Sequence, residues 1–277
     1  MTAIPALPPD EHADAGGNGT SPASHDGPHR PRLVRSGDRP RLIYRLLLAV
    51  DIQGYSARTP LLQLQAQTDL RDVLERAAAD TSLDRRLWFQ QVSGDGELDV
   101  LPDDADIAHV VGCFATAMER ALADLNRTAA PERRLRVRLA LHYGTLILGE
   151  PASFGPAGNA PVVVSRLLDA RPLRRALVAR ADRDLALIVS DRLFEDIVRS
   201  GLCALPPEDF QAIRTTVKGV LYQGHVYDPA PRAKGLLNDE GACAELSEGA
   251  AGTRADHREQ LSPVGAPEDD DRARTVL

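Results

Sequence analysis

The chain is poor in the features that most directly narrow a function. Its three cysteines, Cys113, Cys203 and Cys243, are odd in number, far apart and free of any CxxC spacing, so no zinc or redox pair is indicated. They read as free thiols in a reducing cytosol. Lysine occurs only at Lys218 and Lys234; arginine carries the remaining basic charge, which points to base composition of the gene rather than to a function. Basic charge is not in excess either: 33 Lys and Arg stand against 40 Asp and Glu, a formal net charge of -7. That balance excludes a broad electrostatic footprint for nucleic acid or for an anionic membrane surface.

Long apolar runs are also missing. Met1 to Asp14 contains no basic segment followed by an apolar stretch, so a secretory signal is not indicated. The run Leu42 to Val50 is interrupted by Arg45 and ends at Asp51, short of the roughly 20 residues a bilayer crossing needs. The expectation is a cytoplasmic protein without membrane or nucleic-acid partners.

What is present lies in the middle. Residues 1–40 are rich in Pro, Gly, Asp, His and Ser without apolar periodicity, and cannot bury enough surface to offset ordering entropy. From 230 to 277 the chain is acidic and Ala/Gly-rich, with Glu268 to Asp271 as its densest charge run. Both segments are expected to be disordered tails, which leaves 41–229 as the folded domain.

Within it, Leu42 to Val50 reads as a buried strand delivering Asp51 into a polar loop. Thr59-Pro60 opens a helix, with Leu62, Ala66, Leu70, Val73, Leu74 and Ala77 at helical spacing. Leu87 to Val92 and Leu98 to Leu101 flank Ser93-Gly94-Asp95-Gly96-Glu97 as a hairpin. A second helix carries the stripe Ile107, Val110, Val111, Phe114, Met118, Leu122 and Leu125. Leu135 to His142 alternates as a strand in which Arg136 and Arg138 take the polar places. A helix over Pro161 to Arg171, a strand at Leu185 to Val189, a helix at Asp191 to Arg199 and a hairpin of Gln211 to Lys218 with Leu221 to Tyr227 complete the order β α β β α β α β α β β.

Two carboxylates stand where chemistry is possible: Asp51 at a strand end and Asp95 in a Gly-Asp-Gly turn. Opposed carboxylates suit a hard divalent cation and phosphoryl chemistry; an aspartate in a turn is equally an ordinary structural residue. His142, Trp88 and Phe89 read as packing residues. Glu97, two residues beyond Asp95, alternates to the same strand face and is a candidate for a supporting carboxylate near the metal.

The order of several segments resembles the class III nucleotidyl cyclase catalytic domain over about two thirds of the chain. Val50-Asp51-Ile52-Gln53-Gly54-Tyr55-Ser56 is similar to that family's strand and phosphate loop, and Gly94-Asp95-Gly96 to its second metal motif. His142-Tyr143-Gly144, Gly158-Asn159 through Ser165-Arg166-Leu167, and Val217-Lys218-Gly219 follow in the family's order. The resemblance implies an α+β, ferredoxin-like fold with a mainly antiparallel sheet and helices packed on it. It implies an enzyme that converts a nucleoside triphosphate to a 3',5'-cyclic nucleotide and pyrophosphate with two Mg2+ or Mn2+ ions at Asp51 and Asp95.

It further implies phosphate contacts from Ile52, Gly54, Tyr55 and Ser56, a triphosphate contact from Lys218, and charge stabilisation by Arg166 from the partner of a homodimer. This sequence departs from the pattern at three places. Gln91 and Gly155 occupy the positions of the purine-recognising pair, so neither adenine nor guanine selection is implied. Val162 stands where the ribose-orienting asparagine is expected, with Asn159 and Ser165 as neighbouring substitutes. These departures keep open the alternative of a catalytically inactive, cyclase-like nucleotide-binding or regulatory module.

Overall fold

In the computed structural model, which describes residues 41–148 and 155–230, the apolar run after Leu42 becomes the centre of a sheet. β1 (Ile43–Ile52) pairs antiparallel with β3 (Gly96–Val100) on one side and with β4 (Val137–Leu148) on the other. β2 (Phe89–Val92) closes a hairpin with β3. Beyond β4, β6 (Leu185–Ser190) runs parallel to it, and β8 (Val220–Tyr227) and β7 (Phe210–Val217) follow as an antiparallel edge. The sheet order is β2-β3-β1-β4-β6-β8-β7, with the short β5 (Pro156–Ala157) on the end of β4. The first four strands, in the spatial order 2-3-1-4 with a helix after β1 and helical turns after β3, form the ferredoxin-like unit.

Alternation along β1 divides the core in two. Leu46, Leu48, Val50 and Ile52 face α1 (Pro60–Asp80) and α3 (Ala115–Thr128); Leu47 and Ala49 face α4 (Asn159–Leu168) and α5 (Arg171–Ala179). β1 is therefore covered on both faces, which explains its continuous apolar run. The helical stripes pack as their spacing requires: Leu70, Val73 and Leu74 on α1, and Val110, Val111, Phe114, Met118 and Leu122 across the second helical stretch, are buried. That stretch begins at α2 (Ile107–His109) and passes through a π-helical turn at Val110–Phe114 before α3, a change of winding that hydrophobic spacing does not encode.

Two further differences have local causes. The helix expected over 161–171 ends at Leu168, and α5 restarts after Ala170 with Pro172 in its first turn, where a proline lacks no needed N–H. α5 buries Leu173 and Leu177, one turn apart amid arginines, a short amphipathic pattern of its own beyond the helix expected there. Cys203 is a free, half-buried thiol, whereas Cys113 is fully buried and is not free; this corrects the expectation of free thiols throughout. The tails 1–40 and 231–277 lie outside the described residues. Among those described, no helix is long and apolar enough to cross a membrane. A short helix, α6 (Asp191–Leu193), and a second π-helical turn, Phe194–Val198, follow β6.

Candidate active site

β1 ends where Gln53-Gly54 turns the chain: Gly54 adopts φ 70°, and Tyr55–Ala57 forms one 3₁₀ turn leading through Thr59 into α1. Thr59 holds the N-cap position without a side-chain cap bond. The β2–β3 turn lies beside this strand end. Asp51 is opposite Gly96 in register, and the Ile52 amide donates to the Asp95 carbonyl at 2.8 Å. Gln67 of α1 ties the two loops together, its Nε2 donating to the Tyr55 hydroxyl and to the Gly94 carbonyl, both at 2.7 Å. The two aspartates that the sequence singles out are thereby brought to one end of the sheet, Asp51 half-buried and Asp95 exposed.

Gly96 is required here for its lack of a side chain. A Cβ at this position would run into the backbone carbonyl of Val50 on the neighbouring strand. Gly96→Ala is expected to force the hairpin away from β1 and to destabilise the protein by about 2 kcal/mol or more, as overpacking does. Urea unfolding measures it; an unchanged midpoint would show that the turn relaxes freely.

The carboxyl of Asp51 has an occupant. Arg138, directly opposite on β4, donates from Nη2 to Asp51 Oδ1 at 2.5 Å and from Nη1 to the Leu168 carbonyl at 3.2 Å. Its Nη1 is also 4.0 Å from Asp169, which Arg174 holds at 2.6 Å. Burial pushes the Asp51 carboxyl above the ordinary aspartate range; Arg138 opposes this, while the charges of Asp95 and Asp169 add to it. Asp51 thus sits in a field of acidic neighbours offset by one guanidinium, the setting in which a divalent cation replaces a counter-charge. The donor set of carboxylates fits Mg2+ or Mn2+. Arg138 was visible in the sequence only as a polar residue in an alternating strand; its pairing needed the register of β1 on β4.

Other expected residues fall in separate places. Ile52 is a correction: its amide is taken by Asp95 and its side chain is buried under α1, so it offers phosphate nothing. Gly54, Tyr55 and Ser56 remain in the loop, although the Tyr55 ring packs partly on the core. Glu97 is also corrected. It lies opposite Val50, faces α1, and pairs with Arg85 at 2.5 Å, on the other side of the sheet from Asp51. Gln91 and Gly155 come together: Gly155 has φ 76°, and a Cβ there would collide with the Gln91 carboxamide.

Asn159, Val162 and Arg166 share the outward face of α4 at spacings of three and four; Asn159 and Val162 are exposed and Arg166 half-buried. Arg166 has no hydrogen-bond or ion-pair partner among the described residues, unlike Arg138. Lys218, at φ 51° in the exposed β7–β8 turn, stands at the opposite end of the sheet from Asp51. That follows from strand direction: β8 runs antiparallel to β6, β6 parallel to β4, and β4 antiparallel to β1. One chain does not unite Lys218 with the two aspartates.

His142 is buried with Nδ1 unpartnered, and burial with the nearby Arg192 charge lowers its pKa to about 4. It packs rather than acting as a base. A grouping missed by sequence reading is Asp191, Glu195 and His225, whose ligand atoms lie within 4.8 Å of one another. It sits at the far end of β6 from Asp51, with His225 Nε2 3.0 Å from Asp191 and Glu195 held by Arg199 at 2.8 Å.

No protein-family profile matches the chain, and no curated protein matches it. Solved structures do resemble it. The guanylyl cyclase Cya2 is 13% identical, with 72% of this chain and 97% of that chain covered and a TM-score of 0.49. An adenylate/guanylate cyclase/hydrolase from Silicibacter pomeroyi is 20% identical, with 69% and 100% covered and a TM-score of 0.49. The catalytic core of a rhodopsin-guanylyl cyclase with converted specificity, in complex with ATPalphaS, is 12% identical, with 68% and 97% covered and a TM-score of 0.46. At these identities and TM-scores the likeness assigns no role to any residue of this chain.

Proposed function

We propose that the protein is a divergent nucleotidyl cyclase that forms a 3',5'-cyclic nucleotide and pyrophosphate from a nucleoside triphosphate. The observation that carries this reading is the meeting of Asp51 and Asp95 at one strand end, beside a loop that leads into a helix N-terminus. Mg2+ or Mn2+ held by these carboxylates, two ions per site, would supply charge neutralisation of the triphosphate and acidification of the 3'-hydroxyl. The 3'-oxygen then attacks the α-phosphorus as the bond to the β-phosphate oxygen breaks, pyrophosphate leaves, and the hydroxyl proton passes to solvent.

The chain's own groups divide the remaining work. Gly54, Tyr55 and Ser56 border the phosphates. Gln91 presents both a donor and an acceptor to a base, with Gly155 leaving it room, so discrimination between bases is weak. Arg166 and Lys218 act on the site of a second copy, because Arg166 is outward-facing and Lys218 is far from Asp51 in its own chain. A two-fold homodimer then has two composite sites. The second reading, a nucleotide-binding module without turnover, is favoured by one observation: Val162, in the exposed row with Arg166, offers no hydrogen bond to a ribose.

Incubation with Mn2+ and ATP, GTP, CTP or UTP, followed by mass spectrometry of products, separates the two. A cyclic monophosphate is expected from the wild type and a loss of at least about a hundredfold in Asp95→Ala. No cyclic product from any of the four, at high enzyme concentration and with the chain folded, would overturn the enzyme in favour of the binding module.

A further inference from the structure

β6 ends at Ser190, and the chain turns directly into α6 with Asp191 as its first residue. Glu195 follows four positions on, in the π-helical turn, so both carboxylates stand on one side of this helical segment. β8 lies beside β6 and places His225 opposite Val189, just before the same turn. One carboxylate oxygen each from Asp191 and Glu195 and a ring nitrogen of His225 lie within 4.8 Å of one another. No other three His, Cys, Asp or Glu residues converge in this way among the described residues, and none of these three serves the site at Asp51.

The three side chains are held as ligands are held. His225 is buried, and its ring lies flat against Phe194 with centroids 3.7 Å apart and 7° between the planes, which fixes the direction of Nε2. That nitrogen is 3.0 Å from Asp191 Oδ1. Two ligand atoms bound to one ion at the usual lengths to zinc are about 2.9–3.5 Å apart, so this pair already has the spacing of neighbouring ligands. Glu195 is steered by Arg199, whose Nη1 donates to Oε2 at 2.8 Å and whose guanidinium lies over Phe194 at 5.6 Å. One aromatic ring thus braces the histidine and the arginine that orients Glu195, the outer support by which metal ligands are aimed. Arg192 pairs with Asp196 instead.

The donor set selects the ion. Mg2+ and Ca2+ take oxygen ligands, whereas one imidazole with two carboxylates suits Zn2+ and its transition-metal neighbours. We propose that Asp191, Glu195 and His225 form a site for a divalent transition-metal ion of the Zn2+ class, with water completing its solvent side. The ion fastens the helical turn after β6 to β8, joining ligands 34 positions apart in the sequence. The proposal stands apart from the cyclase reading, since it needs neither nucleotide nor the two aspartates at the other end of the sheet.

Zn2+ titration of the full chain against a chromogenic chelator tests it, with excess Mg2+ present to occupy all-oxygen sites. The wild type is expected to hold Zn2+ with a dissociation constant at or below about 10 μM. Asp191→Ala and Glu195→Ala change side chains that are 52% and 43% accessible, so the fold should survive, and each should weaken binding at least about tenfold, since loss of outer support alone costs that much. Asp196→Ala, an acidic neighbour outside the triad, and Asp95→Ala should bind as the wild type does. Zn2+ should also raise the urea midpoint of the wild type but not that of Glu195→Ala. The proposal is overturned if the wild type binds no Zn2+ at this level, if Asp191→Ala and Glu195→Ala bind as the wild type does, or if Asp196→Ala or Asp95→Ala weakens binding equally.

Discussion

Replacing Arg138 by alanine is expected to destabilise the protein by about 2–3 kcal/mol at neutral pH, between the effect of breaking an exposed pair and a buried one. The pair it breaks is intermediate in exposure, with side chains 10% and 20% accessible for Arg138 and Asp51. Without the guanidinium, Asp51 keeps its burial and its acidic neighbours Asp95 and Asp169, so its folded-state pKa rises further above the unfolded one. For a carboxyl with a raised folded pKa, stability is fully present below the unfolded value and is lost as pH rises through the folded one. The deficit of Arg138→Ala should accordingly shrink as the pH is lowered towards the carboxylate range.

Metal supplies the complementary control. If a cation takes the place of the counter-charge at Asp51, Mn2+ should raise the midpoint of Arg138→Ala unfolding more than that of the wild type, where the ion competes with a hydrogen-bonded guanidinium. Asp51→Ala should remove most of the Mn2+ response in either background. Denaturant melts with and without Mn2+ measure both effects, and an equal response in all variants would remove Asp51 as a metal ligand.

The second large effect is a loss of stability in acid traceable to His142. Its pKa in the folded protein is about 4 against an ordinary 6.5, through burial first and the Arg192 charge second. Between these values the unfolded chain binds a proton that the folded chain refuses, so stability rises with pH across the window. The contribution is complete above about 6.5 and is lost as pH falls to about 4, amounting to about 3 kcal/mol at one pKa unit per 1.36 kcal/mol. His142→Leu should flatten the stability curve in this window by about that amount relative to wild type, since leucine refills the volume without a titrating ring. Identical slopes for the two proteins would assign the acid sensitivity to other groups. Gly144 gives the ring its place, as a Cβ there would sit 2.6 Å from His142 Nε2 and 3.1 Å from the Ala160 Cβ on α4.

Much of this architecture is legible in the chain itself because it rests on local periodicity. The run before Asp51 had to be a covered strand, and Leu70, Val73 and Leu74 had to share a helix face, whichever elements they met. Strand spacing over Gln211 to Lys218 and Leu221 to Tyr227 placed the closing hairpin within a residue of its observed ends. Asp51 and Asp95 were identifiable as site candidates since each ends an apolar or glycine-framed segment in a polar turn. α5 was passed over although its pattern is there: Leu173 and Leu177 stand one turn apart among arginines.

The sequence by itself thus determined most of the strands and helices, α5 and the π-helical turns apart, which of their faces are apolar, and which two carboxylates lie at segment ends. Tertiary structure alone decided who stands beside whom. Glu97 and Asp51 are close in the strand pair yet face opposite layers, because a side chain's face is set by register, with Glu97 opposite Val50 and Asp51 opposite Gly96. Arg138 reaches Asp51 because β4 pairs with β1 across many intervening residues, and Lys218 is carried to the far end by the reversal of β8. Periodicity is a property of neighbours along the chain, whereas an ion pair, a pKa shift or a cavity depends on distances between segments that are fixed only when the sheet is assembled.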